Sequence, residues 1–280
     1  MNLTNLHGLP DALVAAVKND PYTGGGDIST TKLIDSPQKR VLGRKYREMV
    51  VEDVSERIWS LMGQAVHTVL ERAQTSALVE KRLYAEVEGW KLSGQFDRVH
   101  LDDGVMQDWK VCSVYKADGD VSWTRQQNVL RWLAAQNGIT VDRLEVVAIF
   151  RDWKKSEAMR KPEYPQQAVK VIGLPVWTLD EAYEYIVERV RLHKQAELGE
   201  TVECNDEERW YSGTVYALMK KGGKRAVKIS PIRDELGTPD TGYEIVERPG
   251  ENRRCAHYCE VAAFCQQYQR IAGEPDAVGF

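Results

Sequence analysis

The alternation of apolar and polar positions predicts a mixed α/β core. Its clearest helix is "SERIWSLMGQAVHTVLERAQTSALVE", where Ser55 stands as the cap and Trp59, Met62, Val66, Val69 and Ala73 form an apolar stripe expected to face the core. "LYAEVEGWKLSG" reads as a strand, and two short strand-like runs then flank an Asp-Gly turn in "LSGQFDRVHLDDGVMQDWKV", residues 92 to 111. "SWTRQQNVLRWLAAQNG" is a second amphipathic helix, closed by the C-cap signal Asn137-Gly138. "RLEVVAIFRDW" and "AVKVIGLPVW" read as strands. "TLDEAYEYIVERVRLHKQAELGE" reads as a third long helix, with Thr178 capping and Asp180 and Glu181 in its first turn. Residues 1 to 50 are mixed, with a glycine-rich turn "TGGGD" before "ISTTKLIDSPQKRVL". After Gly199 the texture changes, so a core over 1–200 and an appended lobe over 201–280 are expected.

Composition narrows the class without naming a chemistry. With 280 residues, 42% hydrophobic and 29% charged, the chain can bury a sizeable core and is neither disordered nor fibrous. No apolar run approaches the ~18 residues of a membrane span, and the first residues lack a signal-peptide pattern, so a cytoplasmic setting with no membrane partner is expected. The formal net charge of −4 gives no global basic field, so any nucleic-acid contact needs local patches or metal ions. Two such patches exist, "PQKRVLGRKYR" over 37–47 and "MKKGGKRAVK" over 219–228. Solvated surface charge is the simpler reading of each.

Three charged positions of the hairpin ask for an explanation. With Asp103-Gly104 as a two-residue turn, residues whose numbers sum to 207 lie opposite, so Asp97 faces Lys110 and Asp108 shares their face. Two carboxylates alone on such a face would repel, and a hard divalent ion such as Mg²⁺ would neutralise them. A lysine beside it can position or deprotonate an attacking water. A plain salt bridge between Asp97 and Lys110 is the competing reading. His67, one position off the apolar stripe of the first helix and four after Gly63, adds a candidate third ligand, although a lone histidine there is commonly structural. Glu86 and Glu88, on the strand before the hairpin, read as solvated or supporting acids.

Together these residues resemble the PD-(D/E)XK nuclease superfamily, in particular its RecB-type branch with the CRISPR-associated and many phage exonucleases. The series is "GQAVHTVLE" (His67), "GQFD" (Asp97), "DWK" (Asp108 and Lys110) and "WTRQQN" (Gln126), in that order over about 60–130. The resemblance implies a restriction-endonuclease-like mixed central sheet flanked by helices, with a cysteine-stapled C-terminal lobe. It implies Mg²⁺ or Mn²⁺ on His67, Asp97 and Asp108, assisted by a backbone carbonyl past the last acid, placed at Val111. It also implies Lys110 acting on the water, Gln126 holding DNA, and exonuclease activity on DNA. The family's tyrosine four residues after the glutamine is Leu130 here, with Trp132 two residues later, a departure that touches the role of that helix. A non-catalytic DNA-binding or recombination adaptor on the same scaffold is the alternative.

Cys255, Cys259 and Cys265 are spaced C-x3-C-x5-C, and Cys204 lies 51 positions earlier. Four thiolates suit a tetrahedral zinc or a 4Fe-4S cluster, and spacing does not choose between them. The family resemblance favours the cluster, as a structural cross-link. Cys112 reads as a small core residue. "YALMKKGGKRAVKI" reads as a β-hairpin whose tip, Lys220, Lys221, Lys224 and Arg225, is placed to meet a phosphate backbone. Oligomeric state is not legible.

Overall fold

The computed structural model describes residues 2–19, 24–72 and 76–273. Along the chain run β1 (Asn2–Thr4), α1 (Asp11–Lys18), β2 (Ile28–Ser29), α2 (Thr30–Leu33), α3 (Pro37–Lys45), β3 (Val51–Asp53) and α4 (Ile58–Glu71). They are followed by β4 (Leu78–Val87), β5 (Trp90–His100), β6 (Val105–Cys112), α5 (Val121–Gln136), β7 (Arg143–Phe150), α6 (Lys155–Arg160), β8 (Val169–Leu174) and α7 (Leu179–Glu197). The last elements are β9 (Val215–Lys220), β10 (Ala226–Ser230), β11 (Tyr243–Arg248), α8 (Arg253–His257) and α9 (Gln266–Ala272). The described residues divide into two compact units, one within Met1–Arg40 and Val51–Thr201, the other within Val41–Val50 and Val202–Phe280.

The first unit is built on a six-stranded mixed sheet, flanked by helices, in the order β2-β5-β6-β7-β8 with β4 on the other edge of β5. β6 and β7 run parallel, whereas β4/β5, β5/β6 and β7/β8 are antiparallel. Its main core joins Leu92, Phe96, Val99 and Met106 of the sheet to Val129, Leu130 and Leu133 of α5 and to Ile186 and Val190 of α7. Gly94 permits this packing: a Cβ there would overlap Leu130, Leu133 and Thr30, so the absent side chain lets α5 lie against β5. Both expected helix signals hold. Thr178 and Glu181 form a reciprocal capping box on α7, and α5 ends at Asn137 with Gly138 at a φ of +72°. Cys112 is buried with Trp123, Val146 and Phe150, as a small core residue.

Three local expectations are corrected. "LYAEVEGWKLSG" is not one strand: Glu88 and Gly89, with φ of +52° and +71°, form a two-residue turn between β4 and β5. Glu86 pairs with Lys91, and Glu88 is a turn residue. The Asp103-Gly104 hairpin has a longer turn, Leu101 to Gly104, and pairs Arg98 with Gln107 and His100 with Val105. The register thus moves by two residues, and because side chains alternate with period two, Asp97, Asp108 and Lys110 keep a common face. Finally, Asp53 rather than Ser55 caps the turn before α4, accepting the Ser55 N–H at 3.0 Å. No residue of α4 is fully buried, and Trp59, Met62 and Val69 of its stripe are 52, 42 and 64% exposed. Ala73 lies outside the described residues. Apolar spacing identifies the helix but not the neighbours that cover it; here α4 leans on α1 and β6.

The second unit holds a three-stranded antiparallel sheet, β10-β9-β11, and a small core of Leu42, Val50, Val261 and Cys265. No helix among the described residues is long and apolar enough to cross a membrane.

Candidate metal centre

β5 is paired along one edge by β4, and on the other by β2 at Leu92–Ser93 and by β6 at Arg98–His100. Between those two contacts the edge opens, and Asp97 sits where β5 and β6 part. Its Oδ2 accepts the Trp109 N–H at 2.7 Å, filling the position a ladder bond would have taken. Oδ1 is then turned to His67, whose Nδ1 lies 3.6 Å away. The same Nδ1 lies 3.5 Å from Glu80 Oε1, and the other ring nitrogen, Nε2, lies 3.1 Å from the Trp109 carbonyl oxygen. A carbonyl can only accept, so neutral His67 carries its proton on Nε2 and presents a bare Nδ1 to the two carboxylates. His67, Glu80 and Asp97 place their ligand atoms within 4.8 Å of one another, the one such group among the described residues. The carboxylates suit Mg²⁺ or Mn²⁺ and the imidazole shifts the set toward the softer Mn²⁺, so the residues present fit a divalent ion.

Glu80 is the residue the sequence reading missed. It follows Val79, which pairs with Arg98, and precedes Lys81, which pairs with Phe96, so it stands opposite Asp97. Its φ of +48° is an uncommon backbone for a glutamate, and Gln95 Nε2 holds its Oε2 at 2.6 Å. Taking Glu88-Gly89 as a turn would have found it, since that turn alone sets the β4/β5 register.

Electrostatics separate the roles of the charged groups. Burial, and then the like charge of Asp108, push Asp97 up to about 7. His67 is raised too, first because its protonated form can donate Nδ1–H to Glu80. Glu80 is destabilised as an anion by burial, yet the His67 and Gln95 hydrogen bonds outweigh this and hold it below the usual range. Lys110 Nζ lies 2.8 Å from Asp108 Oδ2 and donates to Oδ1 at 3.1 Å. Burial disfavours its charge, but Asp108 and Asp97 overcome that and keep the ammonium above its ordinary value. Held by Asp108, the Lys110 ammonium can donate to a water or an anion.

No family model matches the chain, and no curated protein does. Among solved structures, SSO0001 overlaps 71% of this chain and 90% of its own at 16% identity and a TM-score of 0.48. A phage-related exonuclease from Haemophilus somnus 129PT overlaps 69 and 85% at 12% identity and a TM-score of 0.30. A provisionally assigned exonuclease from Eubacterium rectale overlaps 78 and 82% at 14% and 0.35. These are distant, partial likenesses, and the roles assigned to this site rest on its own geometry.

The remaining site candidates are placed as follows. The carbonyl facing His67 is that of Trp109, one residue past Asp108. Gln126 is half-buried on the first half of α5, outside the His67 group. In the second unit, Gln267 accepts the Cys204 N–H and donates to the Cys204 carbonyl, both at 2.8 Å, so the distant cysteine is tied to the helix that follows Cys265. Burial and Cys265 together raise the Cys255 thiol. No three of these thiols lie mutually within 4.8 Å, whereas Zn–S bonds of about 2.3 Å would set sulfurs about 3.8 Å apart in a closed zinc site. Cys259 packs against the small core that contains Cys265. Lys220, Lys221, Lys224 and Arg225 are exposed at the turn between β9 and β10.

Proposed function

We propose that the chain is a metal-dependent DNA nuclease that degrades DNA from free ends. One observation carries this reading: the bare Nδ1 of His67 and the carboxylates of Glu80 and Asp97 converge beside an Asp108–Lys110 ion pair. A divalent ion held by His67, Asp97 and Asp108, with Glu80 as a further donor, would supply Lewis-acid stabilisation of charge on phosphate and leaving oxygen. Trp109 serves twice, its carbonyl fixing the imidazole tautomer and its N–H fixing Asp97, so neither ligand needs to reorganise. Lys110, held charged by Asp108, orients a water and steadies a scissile phosphate oxygen by donating to it. Gln126 and the basic β9–β10 turn hold the nucleic acid, the latter through phosphate contacts without sequence reading.

The test is hydrolysis of end-labelled linear DNA and of covalently closed circles with Mn²⁺ or with chelator. Metal-dependent loss of linear DNA, abolished by Lys110→Ala or Asp108→Ala in folded protein, is expected. Cutting of circles would make it an endonuclease, and undiminished cutting by both variants would overturn the assignment. Reversing the charges of Lys220, Lys221, Lys224 and Arg225 weakens DNA binding and flattens its salt dependence; unchanged binding dismisses that role.

For the second unit we propose a 4Fe-4S cluster on Cys204, Cys255, Cys259 and Cys265 with a structural role. The Gln267 clamp ties Cys204 to the helix that follows Cys265, which supports one group shared by the distant cysteine and the C-terminal three. Anaerobically purified protein would be brown and absorb near 400 nm, roughly as expected of thiolate-bound iron. Colourless, iron-free, zinc-loaded protein would reject it.

A further inference from the structure

Trp59 lies in the first turn of α4 with half its surface exposed, and the Arg151 guanidinium stacks over its ring, 4.3 Å from the centroid. An indole expected to pack in the core instead joins two elements that border the metal centre. α4 carries His67 eight residues on, about 12 Å along the axis, a span of three to four nucleotides at roughly 3.4 Å each. Arg151 follows β7, and its backbone N–H donates to the carbonyl of Cys112 at 3.0 Å, two residues past Lys110. The carboxylate beside it, Asp152, is already engaged, accepting from the Ser113 hydroxyl at 2.6 Å and the Val114 N–H at 2.8 Å. The Asp152 carboxylate acts on the Arg151 charge from nearby, but among the described residues no ion pair or hydrogen bond engages the guanidinium, and the apolar strip continues through exposed Met62 along the same helix.

We infer that Trp59 and Arg151 form a clamp for one unstacked nucleotide of single-stranded DNA three to four nucleotides from the scissile phosphate. The base stacks on the free face of the indole, and its phosphate pairs with the guanidinium. An aromatic face accepts any base, and a cation behind it strengthens stacking while neutralising the backbone, which is the chemistry of sequence-tolerant single-strand binding. The pair is a substrate-positioning device and holds no metal. It rests on the nuclease reading and refines it, giving the enzyme a frayed or single-stranded end as its substrate.

The experiment uses the full chain and a twelve-nucleotide oligo-dT containing 2-aminopurine, with binding measured in Ca²⁺ and cleavage in Mn²⁺. Wild type is expected to bind and quench the probe. Trp59→Ala should weaken binding about tenfold or more and remove the quenching, Trp59→Phe should restore most of both, and Mn²⁺ affinity should not change. Arg151→Ala should keep the quenching and flatten the salt slope of binding by about 0.7. Trp59→Ala that binds and quenches like a wild type that cleaves overturns the clamp and leaves the nuclease reading standing. A wild type that neither binds nor cleaves DNA fails that reading, and the clamp with it.

Discussion

The Nε2 of His67 lies 3.1 Å from the carbonyl oxygen of Trp109, on the same strand as Asp108 and Lys110. That contact settles which imidazole nitrogen faces the acids. Replacing His67 with alanine should lower Mn²⁺ affinity at least about tenfold, as losses of metal-site groups commonly do, while the thermal midpoint stays close to wild type because the residue is only half-buried. Calorimetric Mn²⁺ titration checks this, and equal affinity would place the ion elsewhere.

Asp97 sits at about 7, against 3.8 for an ordinary aspartate, so near neutrality an ion must displace a proton to bind. Mn²⁺ affinity should therefore rise with pH between about 6 and 8, with proton release visible as a buffer-dependent binding enthalpy. Asp108→Asn removes the neighbouring like charge, brings Asp97 down and flattens that rise. A pH-independent affinity in wild type would show that Asp97 is not a ligand.

His193, fully buried on α7, accepts from Arg40 Nε at 3.0 Å through Nδ1 and lies 3.1 Å from the Leu33 carbonyl through Nε2. Burial, aided by Arg40 and Arg189, pushes it from 6.5 to about 4. A depressed folded value means full stability above pH 6.5, lost as pH falls toward 4, because the unfolded chain takes the proton first. The loss is about 3 kcal/mol at 1.36 kcal/mol per pH unit. Urea midpoints at pH 7.5 and 4.5 should differ by less in His193→Gln than in wild type. Equal differences would refute the linkage.

Gly94 of "GQFD" owes its place to packing. Alanine there meets Leu130 and Leu133 of α5, so Gly94→Ala should destabilise the first unit by about 1–3 kcal/mol in chemical denaturation. A neutral effect would mean that α5 shifts without cost.

Much of the site was legible because its chemistry is concentrated in one pair of strands. The hairpin register was misread by two residues, yet Asp97, Asp108 and Lys110 still share a face, since an even slip leaves period-two alternation intact. Glu80 escaped notice for the opposite reason: an unrecognised turn at Glu88-Gly89 hid the one pairing that puts it opposite Asp97. The outward-facing Trp59 was illegible because a helical stripe declares an apolar face and says nothing of what covers it. The Gln267 clamp on Cys204 spans 63 residues through two hydrogen bonds between the Gln267 side-chain amide and the Cys204 main chain, which leave no mark in composition or spacing.

The most direct test of the metal centre is anomalous diffraction from crystals grown with Mn²⁺. The account predicts a peak within bonding distance of His67 Nδ1 and Asp97 Oδ1, with Asp108 or Glu80 completing the donor set. Full manganese occupancy at another place, with His67 and Asp97 still bonded only to protein, would contradict it.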